Sequence, residues 1–285
     1  MQTEQAQSFN GGLSIRNAWK RLLESKPVAS WFGTSWRKLH SPTLYLWASA
    51  LQPNPKHWPN PVVKQRWSCD PAEIERLRQH LRRDVTRIQK TDLGAGSRTS
   101  KQRQTHLVVG AIARQSLTPR EDIQAICRWL SCVETSGRFL ELGTSLGTTS
   151  AMVAALGWSV ETWEGCPQTL EKAKEGWKNL GLDRAIDAKL GDFARLAAEL
   201  GEVDRWDVVY LDGCHKEEAT MSLVKALEPH TKVALVVDDI AWSSGMHRAW
   251  QFLQSQTEWR VSFSWRGRGF LVKAPHMSRQ QWRLS

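Results

Sequence analysis

From Arg138 onward, short apolar runs alternate with amphipathic stretches, and this constrains the fold more than any other feature of the chain. The runs lie at 139–142, 160–163, 185–190, 207–211 and 233–237. Each has the length of a strand, and each is followed by a segment long enough to cross back over a sheet. Such alternation predicts parallel strands with helices on both faces. The end of the chain breaks the pattern. Runs at 259–265 and 269–273 are joined by Arg266-Gly267-Arg268, a tight hairpin signal. The spacing therefore predicts an α/β domain whose parallel sheet finishes in an antiparallel hairpin.

The first run leads into Glu141-Leu142-Gly143-Thr144-Ser145-Leu146-Gly147-Thr148-Thr149. A glycine loop between a first strand and a helix is where nucleotide-like ligands sit in such sheets. Gly143 and Gly147 permit close backbone approach, and the following helix points its first amides at the ligand. A dinucleotide fingerprint would read G-x-G-x-x-G. Here an acid stands two residues before the first glycine and the glycines are four apart. An acid at that place suits a cationic ligand better than a pyrophosphate, which argues against a nicotinamide dehydrogenase.

The region upstream is organised differently. Asp70-Pro71-Ala72-Glu73 opens a helix, with Asp70 as N-cap, Pro71 at the first position and Glu73 completing a capping box. Ile74, Leu77, Leu81, Val85 and Ile88 form one apolar stripe along it. Ser41-Pro42 opens an earlier helix, and Thr118-Pro119-Arg120-Glu121 opens a later one that runs toward Gly137. Pro53, Pro55, Pro59 and Pro61 mark a linker. These signals divide the chain into an N-terminal extension with a Pro-rich linker (1–68), a helical cap region (69–136) and the α/β domain (137–285).

Asp92-Leu93-Gly94-Ala95-Gly96-Ser97-Arg98 is a second glycine-rich segment. The residues before it, Arg87-Ile88-Gln89-Lys90-Thr91, do not read as a buried strand. It is either a structural turn or a loop that folds over the site, with Arg98 and Lys101 gripping an anionic substrate.

The formal net charge of +10 is concentrated at the front: residues 1–136 carry 21 Lys and Arg against 10 Asp and Glu, and the rest carries 18 against 19. A basic half is either a solvated face or a surface for nucleic acid, an anionic membrane or an acidic substrate. No apolar run approaches the roughly 20 residues that cross a bilayer. The polar start Met1-Gln2-Thr3-Glu4-Gln5 does not read as a secretory signal. The five cysteines, Cys69, Cys127, Cys132, Cys166 and Cys214, include no C-x-x-C pair, so reduced thiols in a cytoplasmic protein are the simplest reading. Six of the sixteen tryptophans lie before residue 70, too irregularly spaced for a base-stacking platform.

Beyond the glycine loop, four further positions fall at the ends of successive runs: Glu164, Gly191-Asp192, Asp212-Gly213-Cys214-His215 and Asp238-Asp239. With Glu141, Gly143, Thr144, Ser145 and Gly147, their order resembles the class I S-adenosylmethionine-dependent methyltransferases over residues 137–273. The resemblance implies a Rossmann-like sheet of seven mostly parallel strands in the order 3-2-1-4-5-7-6. It also implies S-adenosylmethionine as cofactor, held by the loop, by Glu164 at the ribose, by Gly191 and Asp192 beside the adenine, and by Asp212. The chain is most similar to catechol O-methyltransferase-like enzymes, which methylate hydroxyls of small molecules. That likeness implies a divalent cation, Mg²⁺ or another, on Asp212, Asp238 and Asp239. His215 occupies the position of the family's catalytic lysine. His40-Ser41-Pro42, the 92–98 segment and the 141–147 loop together resemble a bacterial branch of these enzymes, which extends the likeness to nearly the whole chain without implying a substrate.

Methyl transfer from a sulfonium needs donor and acceptor in line and a more nucleophilic acceptor. A metal on the three acids would lower the acceptor pKa. His215, with an unperturbed pKa near 6.5, suits proton transfer at neutral pH, so His215 and Asp212 are the candidate catalytic residues. Each assignment has an alternative. Asp238-Asp239 could cap the next helix, and His215 could do no more than cap its own. The expected partner is a small-molecule acceptor, and a homodimer is compatible with the sequence. Two other classes stay open. An RNA methyltransferase would explain the basic half, although the Asn/Asp-Pro-Pro-aromatic motif of base methylation is replaced by Leu211-Asp212-Gly213-Cys214-His215. A catalytically inactive Rossmann-like binding protein would keep the fold without turnover.

Overall fold

The computed structural model describes residues 41–52, 67–92, 103–134 and 136–284. The expected linker prolines, His40, the Gly94–Ser97 segment, Arg98 and Lys101 lie outside the described residues. The first described helix, α1 (Pro42–Ala50), begins where Ser41-Pro42 predicts, and the Ser41 hydroxyl accepts from the Leu44 amide. Helix α2 (Pro71–Arg83) likewise starts on Asp70, whose carboxylate accepts from the Ala72 amide at 2.8 Å. The second half of the expected capping box is diverted, because Glu73 pairs with Arg76 instead.

Two corrections to the sequence reading follow. The apolar stripe does not stay on one helix through Ile88. Asp84 turns extended, and its carboxylate accepts from the Thr86 amide at 2.7 Å, which offers the chain a local turn in place of another helical bond. Val85 is consequently 83% exposed. Ile88 is buried from a different element, β1 (Arg87–Asp92), where no strand was expected. It pairs antiparallel with β2 (Arg103–Val108) to form a separate two-stranded sheet. Helix α3 (Val109–Ser116) follows directly, and α4 (Arg120–Val133) starts after Pro119 without a side-chain cap, so Thr118 is not the cap.

The main sheet begins with β3 (Arg138–Leu142), α5 (Thr148–Ala155), β4 (Ser159–Glu164), α6 (Pro167–Asn179), β5 (Ile186–Leu190) and α7 (Phe193–Ala198). It continues with β6 (Trp206–Leu211), α8 (Glu217–Leu227), β7 (Thr231–Val237), α9 (Ser244–Ser255), β8 (Val261–Trp265) and β9 (Arg268–Val272). The spatial order is β5-β4-β3-β6-β7-β9-β8, with β5 to β7 parallel and β9 antiparallel to both neighbours. Numbered from β3, this is the 3-2-1-4-5-7-6 order that the resemblance implies. One strand was not foreseen. β10 (Gln280–Arg283) adds to β8 in parallel and makes the sheet eight-stranded.

The period of two explains why the central strands are apolar throughout. Phe139, Val208, Tyr210, Ala234 and Val236 face one core with α1, α4, α5 and α6. Leu140, Leu142, Val209, Leu211, Leu235 and Val237 face the other with α8 and α9. The hairpin closes on Arg266 and Gly267, both at positive φ (46° and 80°), as a two-residue turn matched to strand twist requires. Phe270 of that hairpin stacks on Phe263 with centroids 4.6 Å apart and meets the edge of Trp129 from α4 at 4.9 Å. The cap is thus packed into the sheet through its own helices.

A third core joins the cap to the glycine loop. Leu81, Ile88, Val109, Ile112 and Ala113 surround Leu146, which is 1% exposed. Leu146→Ala removes the one member that comes from the sheet side, and it is expected to cost about 2–5 kcal/mol. Urea unfolding, read as a fall in midpoint at unchanged slope, checks this.

Candidate functional site

The carboxyl ends of β3, β4, β6 and β7 meet at one edge of the sheet, where ligands bind in open α/β folds. After β3 the chain must reverse within a few residues. Gly143 does so at φ 104°, and a Cβ there would stand 2.7 Å from the Asp212 carbonyl oxygen. Gly147 sits at φ 73°, wedged against Trp177 of α6, whose indole N–H donates to the Gly147 carbonyl at 2.8 Å. Ser145, between them, adopts φ 49° without being glycine. Its amide donates to Glu164 Oε2 at 2.8 Å, and the Cys166 amide donates to Glu164 Oε1 at 2.9 Å. The loop is therefore tied to the acid at the end of β4.

Glu141 lies beneath the loop rather than on its open side. It is 1% exposed and accepts hydrogen bonds from Ser150 and Thr162, the latter at 3.0 Å. Thr144 is also buried, with its hydroxyl 2.6 Å from that of Thr162. Burial raises the Glu141 pKa to about 8, against the pull of the two hydroxyl donors. Burial likewise raises Glu164, opposed by the Cys166 and Ser145 amides and by Lys90 of β1. Gly191 donates its amide to the Glu164 carbonyl at 2.9 Å, which brings the end of β5 alongside. Asp192 caps α7, accepting from the Arg195 amide at 3.1 Å.

Beyond β6, the Asp212 amide donates to the Leu142 carbonyl, so the Asp212 backbone lies against the start of the glycine loop. Burial and then the Asp238 carboxylate push the Asp212 pKa well above the carboxylate range. His215 is half-buried, and its ring lies 5.8 Å from that of Trp242, the exposed indole that follows the acid pair. Its Nδ1 is buried and meets no hydrogen-bond partner. Asp238 points the other way, into the protein. Its Oδ2 accepts from the Tyr210 hydroxyl at 2.6 Å and lies 3.3 Å from Arg268 Nε, while Oδ1 accepts from the Asp239 amide at 2.7 Å. Asp239 itself stands at φ 53°. Among the described residues, no group of three or more His, Cys, Asp and Glu side chains is arranged to hold a metal ion.

Several residues at this edge were not picked out from the sequence. Ser116 of α3 places its hydroxyl 2.8 Å from that of Ser145. Arg78 of α2 is 1% exposed and reaches Thr148 Oγ1 at 3.0 Å and the Thr118 carbonyl at 2.6 Å. Gln89 of β1 donates its amide to Gln168, just beyond Cys166. The cap thus touches the loop, the first residue of α5 and the chain that follows Glu164. An arginine on the apolar face of α2, at the helical spacing of Ile74 and Leu81, was the available signal.

Residues 140–240 match a family model described as a methyltransferase domain. The matched segment runs from the middle of β3 to just past the acid pair and so contains every candidate site residue. No match is found among curated proteins. Solved structures similar to this chain include cofactor-bound Rv0187 from MTB, at 17% identity and TM-score 0.48 over 56% of this chain and 83% of that one. They also include the O-methyltransferase TomG from Streptomyces achromogenes in complex with SAM, at 14% identity and TM-score 0.47 over 56% and 82%. A third is the O-methyltransferase from Bacillus cereus in complex with SAH, at 13% identity and TM-score 0.45 over 57% and 83%.

The raised Glu141 pKa has a thermodynamic consequence. The folded state holds this proton up to about pH 8, whereas the unfolded state releases it near the ordinary glutamate value of 4.5. Between those values the native state binds more protons, so the Glu141 contribution makes stability fall as pH rises, by at most about 1.4 kcal/mol per pH unit. Glu141→Gln is expected to flatten that part of the slope. Thermal melts of both proteins from pH 5 to 9 measure it.

Proposed function

We propose that this chain is an S-adenosylmethionine-dependent methyltransferase whose acceptor is a hydroxyl of a small molecule. The observation that carries the reading is the tie between the glycine loop and Glu164, inside the segment that matches the methyltransferase family. The residues fit the cofactor. Gly143 lets the loop reverse against the Asp212–Gly213 backbone, where a Cβ would clash, and Glu164 keeps lone pairs beyond the two amides it accepts from, enough for ribose hydroxyls. Gly143, Thr144, Ser145 and Gly147 would form the cradle, Glu164 the ribose contact, and Gly191 and Asp192 the adenine side, with Asp212 at the loop. Glu141 would act from below, through the loop. When bound, S-adenosylmethionine supplies an electrophilic methyl group on a cationic sulfonium.

The remaining work falls to this chain. His215 would take the acceptor's hydroxyl proton on its imidazole. A buried ring nitrogen without a hydrogen-bond partner is costly until a ligand meets it. Asp212 would keep the acceptor and the imidazole in register from the start of the loop. The acid set does not fit the divalent cation that the resemblance implies, because both oxygens of Asp238 are engaged by Tyr210, Arg268 and the Asp239 amide. No step here runs through a metal. A cytoplasmic location and a homodimer remain part of the reading. An anionic acceptor rests on Arg98 and Lys101. No helix among the described residues is long and apolar enough to cross a membrane.

The test is a thermal shift with S-adenosylmethionine and S-adenosylhomocysteine. At a ligand concentration near 100 Kd the native state gains roughly 2.7 kcal/mol. Both ligands are expected to raise Tm, and Glu164→Ala to abolish the rise. No rise with either ligand would favour the inactive binding protein, and salt-sensitive retention on RNA would favour the nucleic-acid enzyme. Once an acceptor is found, His215→Ala is expected to lower kcat about 10²–10⁴-fold with cofactor affinity unchanged.

A further inference from the structure

We propose that the Arg268 guanidinium stands where the catechol-type resemblance implies a divalent cation, so that methyl transfer by this chain needs no metal. The inference rests on the methyltransferase reading above, and it starts from the register of the hairpin. Val237 pairs with Gly269 across β7 and β9, so the next step along each strand brings Arg268 level with Asp238 at the end of the sheet. The turn at Arg266 and Gly267 fixes the approach.

Arg268 is 5% exposed and engages two acids and a hydroxyl. Its Nε lies 3.3 Å from Asp238 Oδ2 and 3.3 Å from the Tyr210 hydroxyl, and its Nη1 donates to Asp122 Oδ2 at 2.9 Å. Arg266 adds a contact to Asp122 Oδ1 at 3.1 Å. Two buried carboxylates, one from the cap helix α4 and one from the end of β7, are thus met by two guanidinium groups. Their charge is balanced within the chain.

A divalent cation that recruited Asp238 would have to pull its carboxylate away from Tyr210 and Arg268. That would leave a buried guanidinium short of a partner and facing a dication, which costs both desolvation and repulsion. Without Asp238, the three-carboxylate set of the resemblance is reduced to Asp212 and Asp239. A fixed guanidinium on Asp238 and Asp122 offsets their negative charge, as a metal would, but has no open coordination position for an acceptor oxygen. Deprotonation of the acceptor then falls to His215.

The experiment titrates the whole chain with Mn²⁺, following the free-ion electron paramagnetic resonance signal, with S-adenosylmethionine present and absent. In parallel, the Tm rise caused by S-adenosylmethionine is measured in Mg²⁺ and in EDTA. The proposal expects no stoichiometric Mn²⁺ uptake and the same Tm rise in both conditions. Uptake of one Mn²⁺ per chain that Asp238→Asn or Asp212→Asn removes overturns it, whatever the cofactor does. Absence of any Tm rise instead overturns the methyltransferase reading. Arg268→Met supplies the converse test. With the guanidinium gone, Asp238 loses its arginine while Asp122 keeps Arg266, and a divalent-dependent Tm rise absent from the wild type is expected. A folded variant without that rise overturns the substitution of cation by arginine, and if the variant does not fold, the wild-type titration decides.

Discussion

The glycine loop is held from both sides, and the rest of the site depends on that double grip. From the sheet, Trp177 fixes the Gly147 carbonyl and Glu164 holds the Ser145 amide. From the cap, Leu146 is drawn into an apolar core, Ser116 meets Ser145, and Arg78 reaches Thr148. A five-residue reversal with three residues at positive φ would otherwise be mobile. Apolar burial of one leucine and a few hydrogen bonds restrict it to one shape. The region upstream is therefore part of the loop's support.

Electrostatics at the same edge are arranged in two compartments. Beneath the loop, Glu141 is surrounded by hydroxyls and held near neutrality by burial. Beside it, arginines from the hairpin reach Asp122 and Asp238. Burial works against the Arg268 charge, but Asp238, Tyr210 and Asp122 outweigh it and hold its pKa above the ordinary guanidinium value. Buried ion pairs of this kind seldom add much stability over apolar packing, yet breaking one partner is costly. Their consequence here is geometric: the hairpin, the acid pair and the cap helix share one set of contacts.

The legible parts of the sequence were those governed by local periodicity. The five parallel strands, the hairpin and the loop followed from apolar runs and glycine placement, because most of these runs are buried on both faces, β5 at the sheet's edge being the exception. β10 was missed because Gln280-Gln281-Trp282-Arg283 has no apolar run, and it is a strand only because β8 offers a free edge. β1 was missed because a helical stripe read past Asp84, where one side-chain hydrogen bond to Thr86 redirects the chain. At the candidate site, the glycine loop was readable from its spacing, and Glu164 was picked out through the resemblance. The orientation of Asp238 was not, since it depends on Arg268, thirty residues later, and on Asp122, in a different region of the chain. Long-range charge pairing leaves no periodic trace in a sequence.

The burial of Leu146 among cap residues makes the loop and the cap a single thermodynamic unit. Whatever opens the cap releases the loop, and whatever occupies the loop resists opening of the cap, by the same free energy in each direction. Local fluctuations of α2, β1 and α3 and the affinity of the loop for its ligand are then two readings of one equilibrium. Substitutions deep in the cap, out of reach of any ligand, would tune that affinity through the population of closed loop, while leaving every atom that touches the ligand in place.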